Sequence, residues 1–414
     1  MSKLLIIGYV WPEPNSSAAG SRMLQLIQFF QQHDYQVTFA SPAQRTEHMV
    51  DLTKLNVSSV DIKLNCSSFD DFINTFQPDV VMFDRFMMEE QFGWRVSEQC
   101  PHALRVLDTE DLFCLRHARH DAHKKNRIMV DTELLSSDLL NSELAKREVA
   151  AIFRCDLTLM ISPKEIELLT DLFKVDASLL HYFPFIFTPN QLEQINPSYE
   201  QRQGFISIGN FRHPPNWDSV LWLKQQVWPL IRKQLPKAEI VICGAYPPPK
   251  ATDLHDVKTG FIVKGWVDDA VKAMQSARVC LAPLRFGAGI KGKLAEGMLC
   301  STPSVTTNIG IEGMQTQLPW AGEIANDATS IADAAVKLYQ DSEAWQIASE
   351  LGQRNAQLLF EQNRHYLALF SSLTKLLEDL TQHRQNNFIG SMLNHHHHKS
   401  TKYMSQWIEV KNKC

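Results

Sequence analysis

The sequence has no long apolar run, no paired cysteines and little net charge, and each absence excludes a class of protein. No stretch approaches the roughly 18 consecutive apolar residues of a transmembrane helix. A formal net charge of -5 on 414 residues gives the whole molecule no attraction for nucleic acid. The eight cysteines stand singly, mostly among apolar neighbours. They therefore exclude a zinc ribbon and predict small buried side chains in a reducing compartment.

Motifs for dinucleotides and metal ions are missing as well. The loop after the first predicted strand lacks G-x-G-x-x-G, and no Asp-x-Asp pair is placed to clamp a metal diphosphate. His117, His120 and His123 have helical spacing, but the arginines and lysines around them oppose cation binding. We therefore predict no metal site and no cofactor.

What the chain does have is the composition of a globular protein. Apolar residues make up 44% and charged residues 21%, enough for a sizeable core. A chain of 414 residues also exceeds the size at which one core keeps growing, so two domains are expected. The run LLIIGYVW imitates a secretory signal, but it is short and leads into an amphipathic helix, which favours a cytoplasmic protein.

Short apolar runs alternate with helical patterns in two parts of the chain. Residues 1–183 contain KLLIIG, QVTFAS, VDIKL, DVVMFD, ALRVLD, LTLMIS and SLLHYF, and residues 204–376 contain GFISIG, AEIVICG, FIVKGWV, RVCLAPL, TPSVTT and GEIAND. This alternation predicts α/β domains, each a doubly wound parallel sheet covered by helices on both faces. The proline-rich residues 184–203 predict a linker. Two such domains would face a central cleft at the carboxyl ends of their strands.

One loop of the second predicted domain, RFGAGIKGKLAEGM, combines glycines with lysines after a strand. Gly287, Gly289 and Gly292 would let backbone N–H groups approach a ligand, and the helix that follows adds positive charge at its N-terminus. Lys291 and Lys293 add two full charges. These features predict a site for a diphosphate.

Glu296 lies in the same segment, although a carboxylate beside phosphates is unfavourable. It becomes reasonable if it binds the hydroxyl groups of a ribose or a sugar. The loop would then suit a nucleotide diphosphate with a sugar end. A glycine-rich turn with solvated lysines and an exposed glutamate is the alternative interpretation.

The segment AEGMLCSTPSVTT resembles the retaining glycosyltransferases of family 4, which have the GT-B fold of two Rossmann-like domains, and the resemblance covers nearly the whole chain. The family has two glutamates separated by seven residues, then a small helix and a G-x-P-V-V strand. Glu296 matches the second glutamate and residues 303–307 match the strand, whereas Ala288 stands in place of the first glutamate. The loop is similar to a G-x-G-x-K-x-K variant of the family that emphasises lysine contacts.

The resemblance implies further donor contacts in the second domain. Gly265 and Val267 would grip the base through backbone groups, and Ile290 would contact the donor from within the loop. Arg212 or His213 would lie near the donor phosphates. Arg212 is favoured because its guanidinium has a permanent charge and a fork that fits phosphate oxygens.

Two segments of the first domain are predicted to face the cleft. The loop at 8–20 is longer than an ordinary strand-to-helix connection, and Gly20 at its end could approach the donor phosphates. A lid or a plain surface loop is the alternative. Asp84 and Arg85 directly follow an apolar run and are predicted to bind the acceptor.

Asp108, Glu110 and Asp111 follow another apolar run and either point into the cleft or cap a helix. The family commonly has a histidine or aspartate here that contacts the donor sugar. Because no histidine lies between His102 and His117, the resemblance assigns this role to Asp108 and Asp111. In an inverting mechanism, one of the three carboxylates would instead be the general base.

Together with the resemblance, these residues imply transfer of a sugar from a nucleotide-diphosphate sugar to a glycan, lipid-linked or protein acceptor, with retention. Lys291, Lys293 and Arg212 would stabilise the leaving phosphate. An epimerase or hydrolase of the same fold remains open, as does a catalytically silent sugar-nucleotide-binding subunit, which Ala288 favours.

Residues 377–414 form a tail, which in this fold usually returns to the first domain. Lys399, Lys402, Tyr403 and Trp407 could instead touch the inner face of a membrane, so peripheral membrane contact is also left open. The four histidines at 395–398 are interpreted as a solvated loop.

Overall fold

The computed structural model describes residues 2–126 and 135–412, and within them two parallel sheets form the framework. The strands of the first sheet are β1 (Ser2–Ile7), β2 (Tyr35–Ser41), β3 (Ser58–Asp61), β4 (Val80–Asp84), β5 (Leu104–Asp108), β6 (Leu157–Met160) and β7 (Leu180–Tyr182). Those of the second are β8 (Phe205–Ile208), β9 (Ile240–Cys243), β10 (Phe261–Gly265), β11 (Val279–Ala282), β12 (Ser304–Thr306) and β13 (Gly322–Ile324). The predicted pair of doubly wound sheets is confirmed.

Helices cover both sheets. The first domain contains α1 (Ala18–Gln32), α2 (Ser68–Phe76), α3 (Phe86–Gln99), α4 (Phe113–Asn126), α5 (Ser136–Asn141), α6 (Glu143–Arg154) and α7 (Pro163–Asp171). The connection and the second domain contain α8 (Pro189–Leu192), α9 (Pro214–Trp222), α10 (Trp228–Gln234), α11 (Pro249–Thr252), α12 (Ala270–Ser276), α13 (Gly292–Leu299), α14 (Asn308–Ile311), α15 (Ala328–Gln340) and α16 (Ser342–Phe360). The chain then forms α17 (Gln362–Glu378), α18 (Leu380–Asn386) and α19 (Phe388–Asn412).

Strand order explains where a site can form. The first sheet has the order β3-β2-β1-β4-β5-β6-β7 and the second has β10-β9-β8-β11-β12-β13. Each order reverses beside its first strand, so loops leave in opposite directions after β1 and β4, and after β8 and β11. Crevices at these two points face each other across the cleft.

The core follows from the apolar runs. Every residue of β4 is buried, as expected for a central strand with helices on both faces. Apolar side chains fill both sides of the first sheet, around Phe83 on one side and Phe39 on the other. The second sheet has a large cluster around Trp228. Six cysteines are free and buried: Cys100, Cys114, Cys155, Cys243, Cys280 and Cys300. Cys66 is disulfide-bonded, and Cys414 lies outside the described residues.

The C-terminal helices lie against the first domain. Arg384 of α18 pairs with Asp156 at 2.7 Å, and Glu409 of α19 accepts from the Ser67 N–H over 2.9 Å. The histidines at 395–398 belong to α19, so the interpretation of that segment as a loop is wrong. Of the helices in the described part of the chain, none is both long enough and apolar enough to cross a bilayer.

Candidate functional site

Three neighbouring strands of the second sheet lead into glycines at their carboxyl ends. The Gly209 N–H donates to Cys243 O over 3.0 Å, and the Gly244 N–H donates to Gly265 O over 2.8 Å. A side chain at Gly244 would overlap the carbonyl of Gly209. Gly209, Gly244 and Gly265 thus bring the three strand ends together through bare backbone, which is called the glycine floor below.

The predicted glycine and lysine loop leads from β11 into α13. Gly289 has a φ of 63°, in the left-handed region that favours glycine. No side chain caps the N-terminus of α13, and the N–H groups of such a turn attract anions. A Cβ at Gly292 would lie 2.6 Å from the Cβ of Ala18. The N-termini of α13 and α1 therefore meet across the cleft.

The two lysines of this loop have different surroundings. The Lys293 ammonium donates to Asn216 Oδ1 over 2.8 Å, and a Cβ at Gly209 would lie 2.9 Å from its Nζ. Lys291 turns back on its own loop, where Nζ donates to Gly289 O over 2.5 Å. Lys293 is therefore the charge beside the glycine floor.

Burial shifts the titration of all three charged groups in the loop. It lowers the pKa of Lys293 to about 8 and that of Lys291 to about 8. It also raises the pKa of Glu296 to about 7, against the attraction of Lys293. A bound anion would restore the full charge of both lysines, so the loop is suited to a negative ligand.

Two buried side chains of the first domain hold the loop backbone. Arg119 of α4 donates to Gly287 O over 2.7 Å and makes hydrogen bonds of 2.6 and 2.7 Å to the Glu312 carboxylate. Glu165 of α7 accepts from the Gly289 N–H over 2.7 Å. This N–H, which the sequence predicts to face the donor, is therefore bonded to Glu165 instead. The loop conformation depends on the first domain.

Aromatic stacking adds to this contact. His120 and His123 stack on Phe286, with ring centroids 4.7 and 5.1 Å away. Asp218 accepts from Arg285 over 2.6 and 2.9 Å and lies 3.3 Å from His123 Nε2. Two of the three histidines with metal-like spacing thus pack against the loop.

The loop between β1 and α1 reaches the second domain. The Tyr246 hydroxyl donates its proton to the Glu13 carboxylate and lies 2.9 Å from both carboxylate oxygens. Gly20 lies beneath this loop, where a side chain would overlap the Glu13 backbone, and its N–H donates to Ser17 Oγ over 3.0 Å. Packing explains this glycine, and its N–H has a partner other than the predicted phosphate.

Arg212 and His213 lie in different surroundings after β8. The Arg212 guanidinium is exposed and lies 3.6 Å from the ring centroid of Tyr246, at the rim of the cleft. His213 is half-buried, and burial together with the charges of Arg116 and Lys293 lowers its pKa to about 3. The structure therefore brings His213, rather than the favoured Arg212, close to the lysines.

Acidic residues and arginines meet at the edge of the first sheet. Arg22 and Asp108 form an ion pair in which neither side chain is exposed. Asp84 accepts from the Tyr9 N–H over 3.0 Å, and Arg85 Nε lies 3.7 Å from its carboxylate. Burial raises the pKa of Asp84. Asp108 is enclosed, so the predicted contact with a donor sugar would require its pair with Arg22 to open.

Asp111 is the predicted acidic residue that reaches the second domain. Its carboxylate accepts from Arg116 over 2.5 and 2.6 Å. Its Cβ would lie 2.8 Å from a Cβ at Gly289. Asp111 therefore contacts the loop, unlike Asp108.

The remaining predicted donor residues pack into apolar clusters of the second domain. Ile290 is buried among Leu294 and Phe185. Val267 packs against the cluster that contains Ile206 and Cys243.

Sequence reasoning missed Gly209, Gly244, Arg119 and Glu165. The glycines had a usable signal, because each directly follows a predicted strand, in GFISIG and AEIVICG. Arg119 and Glu165 had none. Each is one charged residue in an ordinary helical pattern, and its partner in the loop lies 168 or 124 residues away.

Comparison with known proteins identifies the second domain. Residues 202–341 match the family described as glycosyl transferases group 1. An uncharacterized 44.6 kDa protein in the cps region of Klebsiella pneumoniae is 26% identical over 134 residues, which is 31% of this chain and 34% of that protein. The chain thus aligns with about a third of the length of this relative.

Solved structures share the fold over most of both chains. HepE of Anabaena, in complex with UDP-glucose, aligns with a TM-score of 0.67 at 12% sequence identity. The alignment covers 91% of this chain and 100% of the HepE chain. Sucrose-phosphate synthase of Thermosynechococcus elongatus has a TM-score of 0.65 at 14% identity, covering 91% and 100%. WaaG, a glycosyltransferase involved in lipopolysaccharide biosynthesis, aligns with a TM-score of 0.58 at 12% sequence identity. The alignment covers 89% of this chain and 98% of the WaaG chain. The chain therefore has the GT-B fold.

Proposed function

Since residues 202–341 match the family described as glycosyl transferases group 1, we propose that the protein transfers a sugar from a nucleotide-diphosphate sugar to an acceptor held by the first domain. The observation that carries this proposal is a half-buried cation, Lys293, placed between bare backbone and an uncapped helix N-terminus. Negative charge grows on the diphosphate as the glycosidic bond breaks. Cations that are already in position stabilise this charge most effectively in a buried site.

Different parts of the donor would meet different residues. The glycine floor suits the flat base, and Glu296 suits the hydroxyl groups of the ribose or the sugar. Lys293 and Lys291 would neutralise the diphosphate. Arg212 would reach the phosphates only after leaving the ring of Tyr246, on which it lies.

Retention of configuration is the stereochemistry that we propose. In that route the leaving phosphate accepts the proton of the acceptor, so no enzymic base is required. The pairing of Asp108 with Arg22 and of Asp111 with Arg116 supports this choice for two of the three candidate bases, because both carboxylates are already engaged by guanidinium groups. The third candidate, Glu110, is assigned to the acceptor in the next subsection.

A thermal stability assay with a panel of UDP-, GDP-, ADP- and TDP-sugars tests the donor assignment. UDP-glucose is the first choice, since HepE of the same fold binds it. We expect one member to stabilise the protein, by about 2.7 kcal/mol at a hundredfold excess over its Kd. Lys293→Ala should abolish this shift, whereas Lys237→Ala, which removes an exposed lysine of the same domain, should keep it. A panel without any stabilising member would refute the donor assignment.

Turnover of the stabilising donor separates the two alternative functions. A hydrolase or epimerase would consume the donor without an acceptor. A silent subunit would bind it without consuming it, and Ala288 favours this outcome because it removes a carboxylate from the sugar end. Glu312, held by Arg119 beside the loop, is the carboxylate that could compensate.

Lipid-linked acceptors and peripheral membrane contact are proposed for the C-terminal helix. The outer side of α19 exposes large apolar residues: Phe388, Ile389, Met392, Tyr403, Met404, Trp407 and Val410. Lys411 lies 5.0 Å above the Trp407 ring, whereas the acidic Glu409 turns inward to Ser67. Aromatic residues combined with lysines suit an anionic bilayer surface.

Sedimentation with vesicles tests this contact. We expect the protein to bind phosphatidylcholine vesicles that contain phosphatidylglycerol, and the variant with Tyr403→Ser, Trp407→Ser and Val410→Ser to bind about tenfold less, because it buries less apolar area. Leu367→Ser provides the control, since it removes an exposed leucine on α17. Equal binding of the triple variant and the wild type would contradict membrane contact through α19.

A further inference from the structure

Two charged residues at the edge of the first sheet have backbone angles that residues other than glycine rarely adopt. Arg85 has a φ of 71° and Glu110 has a φ of 61°. They follow β4 and β5, whose last residues, Asp84 and Asp108, are paired neighbours. Such strain is enriched at functional sites, although surface turns such as that at Lys174 also show it.

Glu110 is buried, and its hydrogen bond to Arg22 is long. Its carboxylate lies 3.5 Å from Arg22 Nη1, but Arg22 is already paired with Asp108 and donates to Phe183 O over 3.0 Å. Burial, together with the charges of Asp108 and Asp84 and against those of Arg22 and Arg85, raises the pKa of Glu110 to about 8. A neutral carboxylic acid can both donate and accept a hydrogen bond.

The surroundings of Glu110 suit a carbohydrate. The Arg85 guanidinium lies 5.0 Å from the ring centroid of Tyr9, and this tyrosine is 39% exposed. An exposed aromatic ring beside hydrogen-bonding groups offers an apolar body and a polar tip to a sugar face. Burial also raises the pKa of Asp84, which joins Tyr9 by a backbone hydrogen bond.

The same segment adjoins the donor loop of the proposed function. Asp111 contacts Gly289, and Glu165 Oε1 accepts from both the Leu112 N–H and the Gly289 N–H, over 3.2 and 2.7 Å. Glu110 is the residue immediately before this contact. An acceptor bound at Glu110 would therefore lie beside the loop that holds the donor.

We propose that Glu110, with Tyr9 and Arg85, binds the hydroxyl groups of a neutral carbohydrate acceptor, and that the strained backbone serves to present the Glu110 side chain. This inference rests on the proposed function and names the acceptor class at that site. It predicts that removal of the Glu110 side chain has two effects at once: the backbone strain is relieved and the acceptor is no longer recognised. A residue with a purely structural role would lose stability instead.

The test compares Glu110→Gly with Lys174→Gly, which replaces an exposed residue that also has a left-handed φ, of 56°. We expect both variants to melt about 2 °C above the wild type, because glycine adopts this conformation without strain.

The activity test uses the stabilising nucleotide sugar and a panel of four acceptors: glucose, galactose, mannose and N-acetylglucosamine. The wild type should transfer the donor sugar to at least one of these acceptors in place of water. Glu110→Gly should reduce the ratio of transfer to hydrolysis at least about twentyfold, whereas Lys174→Gly keeps it. Glu110→Gln should stay within about threefold, since an amide also donates and accepts.

Three results would overturn this inference. They are a lower melting temperature for Glu110→Gly than for the wild type, an unchanged ratio of transfer to hydrolysis in that variant, and a wild type that transfers to none of the four sugars. Failure of the proposed function looks different. In that case no nucleotide sugar stabilises the wild type or the variants, and none of these proteins consumes a nucleotide sugar.

Discussion

Lys293→Ala is expected to lower kcat by about 10²- to 10³-fold, the usual loss when one preorganised group that stabilises transition-state charge is removed. Its ammonium lies against Gly209 and is held by Asn216 Oδ1 at 2.8 Å, so it is fixed before the donor arrives. Burial lowers its pKa to about 8. Water screens a charge less at such a half-buried position than at the surface, so the developing phosphate charge interacts with it more strongly. Steady-state kinetics with the stabilising nucleotide sugar measure the loss.

Two comparisons show whether the loss is due to this charge. Lys237→Ala removes an exposed lysine of the same domain and should leave kcat unchanged. Lys291→Ala should also reduce activity, but this loss would not report on charge alone. Lys291 Nζ donates to Gly289 O, so its removal also loosens the loop. A Lys293→Ala variant with wild-type kcat would remove the electrostatic basis of the proposed mechanism.

Arg119→Ala is expected to have the second large effect, and it acts from the opposite domain. Arg119 is fully buried and binds both Gly287 O and the Glu312 carboxylate. Hydrogen bonds and charge from Arg119 lower the pKa of Glu312 although burial opposes them. Without Arg119, the half-buried Glu312 carboxylate loses its guanidinium partner, which costs up to about 3–5 kcal/mol, and the loop loses one of its contacts with the first domain.

The expected result is a lower apparent Tm together with an at least about tenfold higher KM for the donor, since the loop must be ordered at the expense of binding energy. Arg119→Lys should recover part of the stability but not the donor KM, because an ammonium cannot make the paired bonds of a guanidinium. Lys125→Ala, at an exposed position of the same helix, serves as the control. If Arg119→Ala kept the wild-type KM, the order of the loop would not depend on Arg119.

The folding pattern was readable from the sequence because strands in a doubly wound sheet are buried on both faces. The runs DVVMFD and RVCLAPL became β4 and β11 without ambiguity. The end of the chain was less readable. The histidines at 395–398 were interpreted as a loop, yet they continue a helix whose inner side packs on the first domain through Ser405 and Glu409.

The chemical components of the site were also readable, but their partners were not. The loop motif identified Lys291, Lys293 and Glu296, which lie at the N-terminus of α13 or within this helix. The same motif suggested that Gly289 offers its N–H to the ligand, whereas Glu165 accepts that bond. Asp108 looked equivalent to Asp111, but it pairs with Arg22 inside the domain.

Local sequence thus determined which segments become strands and helices, and which glycines and charges follow the strand ends, because periodicity and strand termination are properties of neighbouring residues. Tertiary structure decided which of these charges stay available for a ligand. That choice depends on contacts such as Arg22 with Asp108 and Arg119 with Glu312, which join residues 86 and 193 positions apart. Packing within and between the domains brings such groups together, and no local pattern records it.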